Sequence, residues 1–142
     1  HYPLRRQRQM CIRDRDGTID VISTDHSPQD EEHKKIEFDN AADGIIGLES
    51  AFGLLGKHLL PHLELSQLIE KIAINPRKIL GIKSATLTEG NTANITLFNP
   101  DLEWKFKVTD IKSKSVNTPF IGEVLKGKAL AVYNNGQFQK CK

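Results

Sequence analysis

Asp25 closes a run rich in β-branched residues, Thr18-Ile19-Asp20-Val21-Ile22-Ser23-Thr24, and is followed at once by His26, Ser27 and Pro28. In α/β barrels the reactive groups project from the carboxyl ends of strands, so a carboxylate there can ligate a metal or move a proton. On position alone the same aspartate also suits an Asx-turn or a helix N-cap. His26 points away from Asp25 if the strand alternation continues, which favours a structural hydrogen bond over ligation. His33 falls in a charged loop and reads as solvated. His58 and His62 have the spacing that puts two imidazoles on one helix face, yet Pro61 between them breaks that face and no acidic partner follows. Lys34-Lys35 reads as a solvated pair, with a second role open in drawing an anion toward a nearby site. Cys11 and Cys141 lie near opposite ends and match no zinc or disulfide spacing, which points to a reducing compartment.

The elements that must hold Asp25 follow from periodicity. Thr18 to Thr24 reads as a short strand, and Gln29 to Asn40 as a polar loop with a helical turn. Leu48, Ala51, Phe52, Leu55 and Leu59 recur at helical spacing and predict a helix over Gly47 to Leu60, interrupted by Pro61 and resumed over Leu63 to Ile74. Asn75 looks like an N-cap before Pro76, with Gly81 closing a short helix over Ile79 and Leu80. Beyond Gly81 the period alternates. Ala93 to Phe98, Trp104 to Val108 and Ala129 to Tyr133 read as strands, the last leading into the tight-turn signal Asn134-Asn135-Gly136. A join between the helical and β-rich parts is expected near residues 81–85.

The chain has 142 residues, 38% hydrophobic and 27% charged, which fits a soluble globular chain and not one disordered throughout. No stretch nears the roughly 20 apolar residues of a membrane span, and the first residues are too polar for a signal peptide. Arg5, Arg6, Arg8, Arg13 and Arg15 cluster against Asp14, whereas the remainder uses lysine almost exclusively. A basic arm for nucleic acid is one reading of this cluster. The stretch from Arg5 to Arg15 also resembles translated adapter read-through, and it is read here as a non-native extension, leaving nucleic acid and membrane outside the expected partners.

The run Val21-Ile22-Ser23-Thr24-Asp25-His26-Ser27-Pro28, then Glu31-Glu32, then Gly44-Ile45-Ile46-Gly47-Leu48-Glu49, closely resembles dihydroorotase, of the amidohydrolase superfamily. So do Asn75-Pro76 with Leu80-Gly81, Ala93-Asn94-Ile95 with Phe98-Asn99-Pro100, and Asn117-Thr118-Pro119-Phe120 with Gly122 and Gly127. The resemblance runs collinearly over residues 17–140. It implies an α/β fold, truncated: the C-terminal end of a metal-dependent (β/α)8 barrel followed by a small β-rich domain. Residues 1–15 would be the extension, 16–82 the last strand and helices of the barrel, and 83–142 the β-rich domain.

The resemblance also implies the chemistry: reversible hydrolysis of dihydroorotate to N-carbamoyl-aspartate in pyrimidine biosynthesis, at a zinc centre, in the cytoplasm. Asp25 matches the aspartate that ligates zinc and shuttles a proton between the nucleophilic water and the leaving nitrogen. The family's other ligands include a His-x-His pair, which this sequence lacks, so the chain alone is expected to be inert. Gln29 stands where the family carries a histidine that binds the substrate carboxylate, and an amide cannot supply that charge-assisted contact. Ala42-Asp43-Gly44 stands where a backbone segment meets the substrate, and Asp43 is an odd neighbour for a dianion. These departures leave open a non-catalytic relative that partners aspartate transcarbamoylase, another cyclic amidohydrolase such as a hydantoinase or allantoinase, and association into a homo-oligomer. Read without the resemblance, the chain is also compatible with a small interaction module.

Overall fold

A computed structural model describes residues 17–84 and 86–141. The arginine-rich extension, Cys11 included, lies outside the described residues. The β-branched run expected as a strand pairs with no other strand among them. Groups from a helix take the place of a ladder. Lys71, itself buried, donates through Nζ to the carbonyl of Ile19, its own carbonyl accepts from Ile22 N at 3.1 Å, and Asn75 Nδ2 donates to the carbonyl of Asp20 at 3.0 Å. Among the described residues, the parallel pairing typical of a barrel is confined to one isolated bridge between His26 and Ile45.

Three short helical pieces and one longer one follow. Helix α1 (Glu31–Lys34) starts at Asp30, whose Oδ1 accepts from His33 N at 2.9 Å. Helix α2 (Ala51–His58) is shorter than its periodicity predicts, because residues 48–50 form a turn before it. Helix α3 (Leu65–Ile69), entered with Gln67 Oε1 accepting from Glu64 N at 3.1 Å, runs through a π-helical turn (Glu70–Ile74) into α4 (Asn75–Ile79). Asn75 is therefore not the N-cap expected: it has helical dihedrals of −63° and −41° inside a continuous run, and its amide is committed to Asp20. The ending is as expected. Gly81, at φ 66°, donates to Lys78 O and Ile82 donates to Arg77 O at 2.8 Å, the paired bonds of a Schellman motif.

The β-rich part is an antiparallel meander of β1 (Ile95–Lys105), β2 (Val124–Asn134) and β3 (Gln137–Lys140). The two strands expected over 93–98 and 104–108 are largely one, carried past Pro100 by a register irregularity between Asn99 and Glu103, where proline's missing N–H costs no ladder bond. Phe106 is fully buried just beyond β1, whereas Val108 opens a 3-10 turn (Val108–Asp110) and is exposed. Asn135 and Gly136, at φ 49° and 76°, make the two-residue turn that joins β2 to β3.

Helix α2 lies directly on β2. A Cβ on Gly53 would stand 2.8 Å from Leu125 Cβ, and one on Gly56 only 2.0 Å from Lys126 O. Glycine at 56 lets helix backbone approach strand backbone directly, and glycine at 53 makes room for the Leu125 side chain. Around this contact Phe52 meets Phe98 edge-on at 5.0 Å, and Trp104 donates through Nε1 to Gly127 O at 2.9 Å. Phe106, Leu125, Leu68 and Ile46 are the deepest apolar side chains.

Candidate functional site

Asp25 sits at the end of the Ile19–Thr24 segment with φ 44°, a left-handed conformation that costs a non-glycine residue about 1 kcal/mol or more. Its backbone N–H donates weakly to Ser23 Oγ at 3.4 Å, and its side chain is exposed with no hydrogen-bond partner among the described residues. The turn thus presents a bare carboxylate.

His26 turns the other way and is fully engaged. Its Nδ1 accepts the backbone N–H of Gly47 at 3.0 Å and, more weakly, that of Leu48 at 3.4 Å, which leaves the proton on Nε2, facing Ser113 Oγ at 3.4 Å. Ser113 Oγ donates a hydrogen bond to Glu49 Oε1 at 2.6 Å, and the same oxygen accepts the backbone N–H groups of Ser113 and Lys112. Burial works to raise the Glu49 pKa, but the hydrogen bonds from Ser113, from its own backbone N–H and from Lys112 together outweigh it and hold the group below its ordinary value. His26 is accordingly a structural residue that ties the turn after Asp25 to the 45–49 segment and to the loop at 112–113.

Gln29 is half-buried beside a cleft of about 570 Å³ that Lys34, Lys35, Ser115 and Asn117 also line. Its side-chain amide donates to Ser27 Oγ at 3.2 Å, and its backbone N–H donates to Asn117 Oδ1 at 3.2 Å. Gly44 belongs to the same neighbourhood: at φ 97°, with a would-be Cβ 2.5 Å from Ser27 Cβ, it admits no other residue. Ala42 and Gly44 both present their carbonyls to Lys34 Nζ, at 2.6 and 3.1 Å. Asp43, between them, is exposed. Lys34 is thus not a solvated partner of Lys35 but a half-buried staple for the 42–44 turn, while Lys35 pairs with Glu31 at 3.1 Å.

Three of the residues singled out in the sequence, Gln29, Ala42 and Gly44, are therefore gathered at one place, and Asp25 stands at the head of the same turn. Asn117, Ser115, Lys34 and Glu49 join them. Of these, Asn117, Glu49 and Lys34 fell in stretches noted in the sequence and Ser115 did not, and spacing could not reveal contacts that span 73 to 90 residues. The other histidines stay apart: His33 Nδ1 lies 2.6 Å from Asp30 Oδ1 on the surface, and His58 and His62 are exposed on α2 and in the turn beyond it. Among the described residues no group of three or more His, Cys, Asp or Glu is placed to hold a metal ion. Asp25 suits a metal as a single hard oxygen ligand; a catalytic zinc site needs about three protein ligands. A second, apolar groove of about 600 Å³ runs between Val21–Thr24 and α2, lined by Leu48, Phe52, Leu55 and Ile72 among others, and none of the candidate site residues reaches it. No described helix is long and apolar enough to cross a membrane.

No protein-family model matches the chain. It is 46% identical to a dihydroorotase of Chlorobaculum tepidum over 125 residues, and 44% identical to a dihydroorotase of Acetivibrio thermocellus over 124. These matches take in 87% and 86% of the chain, which spans only 28% and 29% of the two relatives. A D-hydantoinase (dihydropyrimidinase) from Thermus sp. superposes on 93% of the chain with a TM-score of 0.82, at 22% identity and over 30% of its own length. At that identity the likeness establishes a shared fold, that of a segment of the hydantoinase chain.

Proposed function

We propose that this chain, a homologue of the dihydroorotases, carries one part of the site of a cyclic amidohydrolase that interconverts dihydroorotate and N-carbamoyl-aspartate in pyrimidine biosynthesis. In this reading residues 17–82 form the end of a (β/α)8 barrel and the meander a small β domain behind it. The observation that supports it most is the state of Asp25. A strained, non-glycine turn holds a carboxylate with no structural partner among the described residues, and strain of this kind persists where the surrounding structure enforces it for use.

Hydrolysis joins a water oxygen to the ring carbonyl carbon and breaks that carbon's bond to the ring nitrogen. Asp25 takes the proton the water gives up and returns it to the departing nitrogen, so one carboxylate serves as base and then as acid. Zinc, when bound with Asp25 as one ligand and the others supplied from outside the described residues, would polarise the carbonyl and acidify the water. The Gln29 amide and the backbone of Ala42-Asp43-Gly44 face the substrate carboxylate. The chain alone, gathering no metal site among its described residues, is expected to turn over nothing.

A second reading has its own support. Gln29 replaces a cation with an amide already donating to Ser27, which fits a non-catalytic relative that partners aspartate transcarbamoylase. A chimera separates the two: the segment of the Chlorobaculum tepidum dihydroorotase that aligns with this chain is replaced by residues 17–141. Turnover of dihydroorotate by the folded chimera is the expected result. A folded chimera that binds zinc yet turns over nothing would favour the non-catalytic partner, and one that prefers hydantoins would favour a sibling amidohydrolase.

A further inference from the structure

Asn117 comes from the loop that precedes β2, far in sequence from Asp25, yet its side chain lies between the two turns assigned to substrate. Its Nδ2 donates to Ser27 O at 3.1 Å and to Gly44 O at 3.2 Å. Its Oδ1 accepts from Gln29 N at 3.2 Å and from Ser115 Oγ at 2.6 Å. A primary amide has two protons to give and one oxygen with two lone pairs, so each capacity is used. The main chain adds a fifth tie, because Ile46 N donates to Asn117 O at 3.1 Å. Ser115 Oγ also reaches Gln29 O, its single proton shared between that carbonyl and Asn117 Oδ1, so one loop meets the backbone of Gln29 on both sides.

No other side chain does this in the same space. Aspartate would set a carboxylate against two carbonyl oxygens, and serine or alanine would leave Ser27 O, Gly44 O and Gln29 N without this partner. The fit between the turns is also tight. Gly44 has no room for a Cβ against Ser27, so the bonds act on surfaces already in contact and fix their register.

We propose that Asn117 is a positioning residue: it clamps the Ser27–Gln29 turn to the Ala42–Gly44 turn and so sets where the substrate-binding groups stand. This rests on the reading given above, in which those two turns meet the substrate. Asn117 makes no bond to Asp25, so its effect falls on binding and spares the proton transfer.

The test uses Asn117→Ala in the chimera and in this chain. In the chimera the Michaelis constant for dihydroorotate should rise about tenfold, the equivalent of about 1.4 kcal/mol, with the turnover number within about threefold. A merely structural role would instead lower turnover through loss of folded enzyme and leave the Michaelis constant unmoved, and that result overturns the proposal. In this chain, hydrogen exchange at Gln29 N–H should quicken about tenfold in the variant while Phe138, in the distant hairpin, is unchanged. Equal exchange at Gln29 in both chains also overturns it. If the unmutated chimera has no turnover, the functional reading falls by itself, and the exchange comparison decides the clamp.

Discussion

Glu49 accepts the hydroxyl of Ser113 at 2.6 Å across 64 residues of sequence, while its second oxygen, Oε2, is buried and has no hydrogen-bond partner among the described residues. The bond ties the segment after the 42–44 turn to the loop that carries Asn117. Because these donors hold the Glu49 pKa below its ordinary 4.5, the ionised form is bound more tightly in the folded chain than in the unfolded one. The stability it contributes is complete above pH 4.5 and is lost as pH falls through the depressed folded value. Urea midpoints measured from about pH 7 to about pH 3 should therefore fall less steeply at the acid end in Glu49→Gln than in the parent. Parallel acid limbs in the two chains would contradict this.

Gly56→Ala tests the helix–strand contact. The added methyl would stand 2.0 Å from Lys126 O, a backbone atom that cannot swing aside. Overpacking of this kind costs about 1–3 kcal/mol, and backbone against backbone belongs at the upper end. Gly81→Ala is the comparison, since nothing lies within 4 Å of its Cβ and only its positive φ is penalised. Gly56→Ala should lose clearly more in urea unfolding than Gly81→Ala, and equal losses would refute the contact.

Asp25→Asn isolates charge from conformation. Asparagine tolerates the left-handed turn as well as aspartate does, so folding should be unaffected. In the chimera the turnover number should fall about 10²–10⁴-fold, the usual worth of general acid–base catalysis. A rate within a factor of about two of the parent would remove Asp25 from the mechanism.

Gln29→His should act on binding. A hydrogen bond to a charged group is worth roughly 1.5–3 kcal/mol, so a cationic imidazole beside the substrate carboxylate lowers the Michaelis constant. The fall should be greatest below about pH 6.5, where an unperturbed imidazole is charged. A pH-independent Michaelis constant would show that residue 29 does not meet the carboxylate.

Local signals were legible in the sequence, and contacts between distant segments were not. The Schellman ending at Gly81 and the Asn135-Gly136 turn depend on dihedrals that only a few residue types adopt, so residue type alone announced them. Asn75 misled because its environment is tertiary: next to a proline it looks like a cap, but Asp20 claims its amide. The Ile19–Thr24 run has the composition of a strand, yet a ladder also needs a neighbour, and helix groups stand in for one here. Asp25 could be singled out because a short apolar run ends at it. Lys34 looked like surface charge, and nothing in Lys34-Lys35 distinguishes the lysine that turns back onto Ala42 and Gly44 from the one that pairs with Glu31.

The missing side chains at Gly53 and Gly56 have a mechanical consequence. Packed side chains act as a compliant layer, letting a helix slide along a sheet by small rotamer adjustments. At Gly56 that layer is absent and main chain rests on main chain, while at Gly53 the helix backbone rests on the Leu125 side chain. A displacement of the meander is therefore handed directly to α2 and to the Ile46–Ser50 segment that leads into it, with little lost to shear. The loop bearing Ser113 and Asn117 is anchored to the same strand at its far end. Force applied to the β sheet would reach the turns around Asp25 by two routes at once, one steric and one through hydrogen bonds.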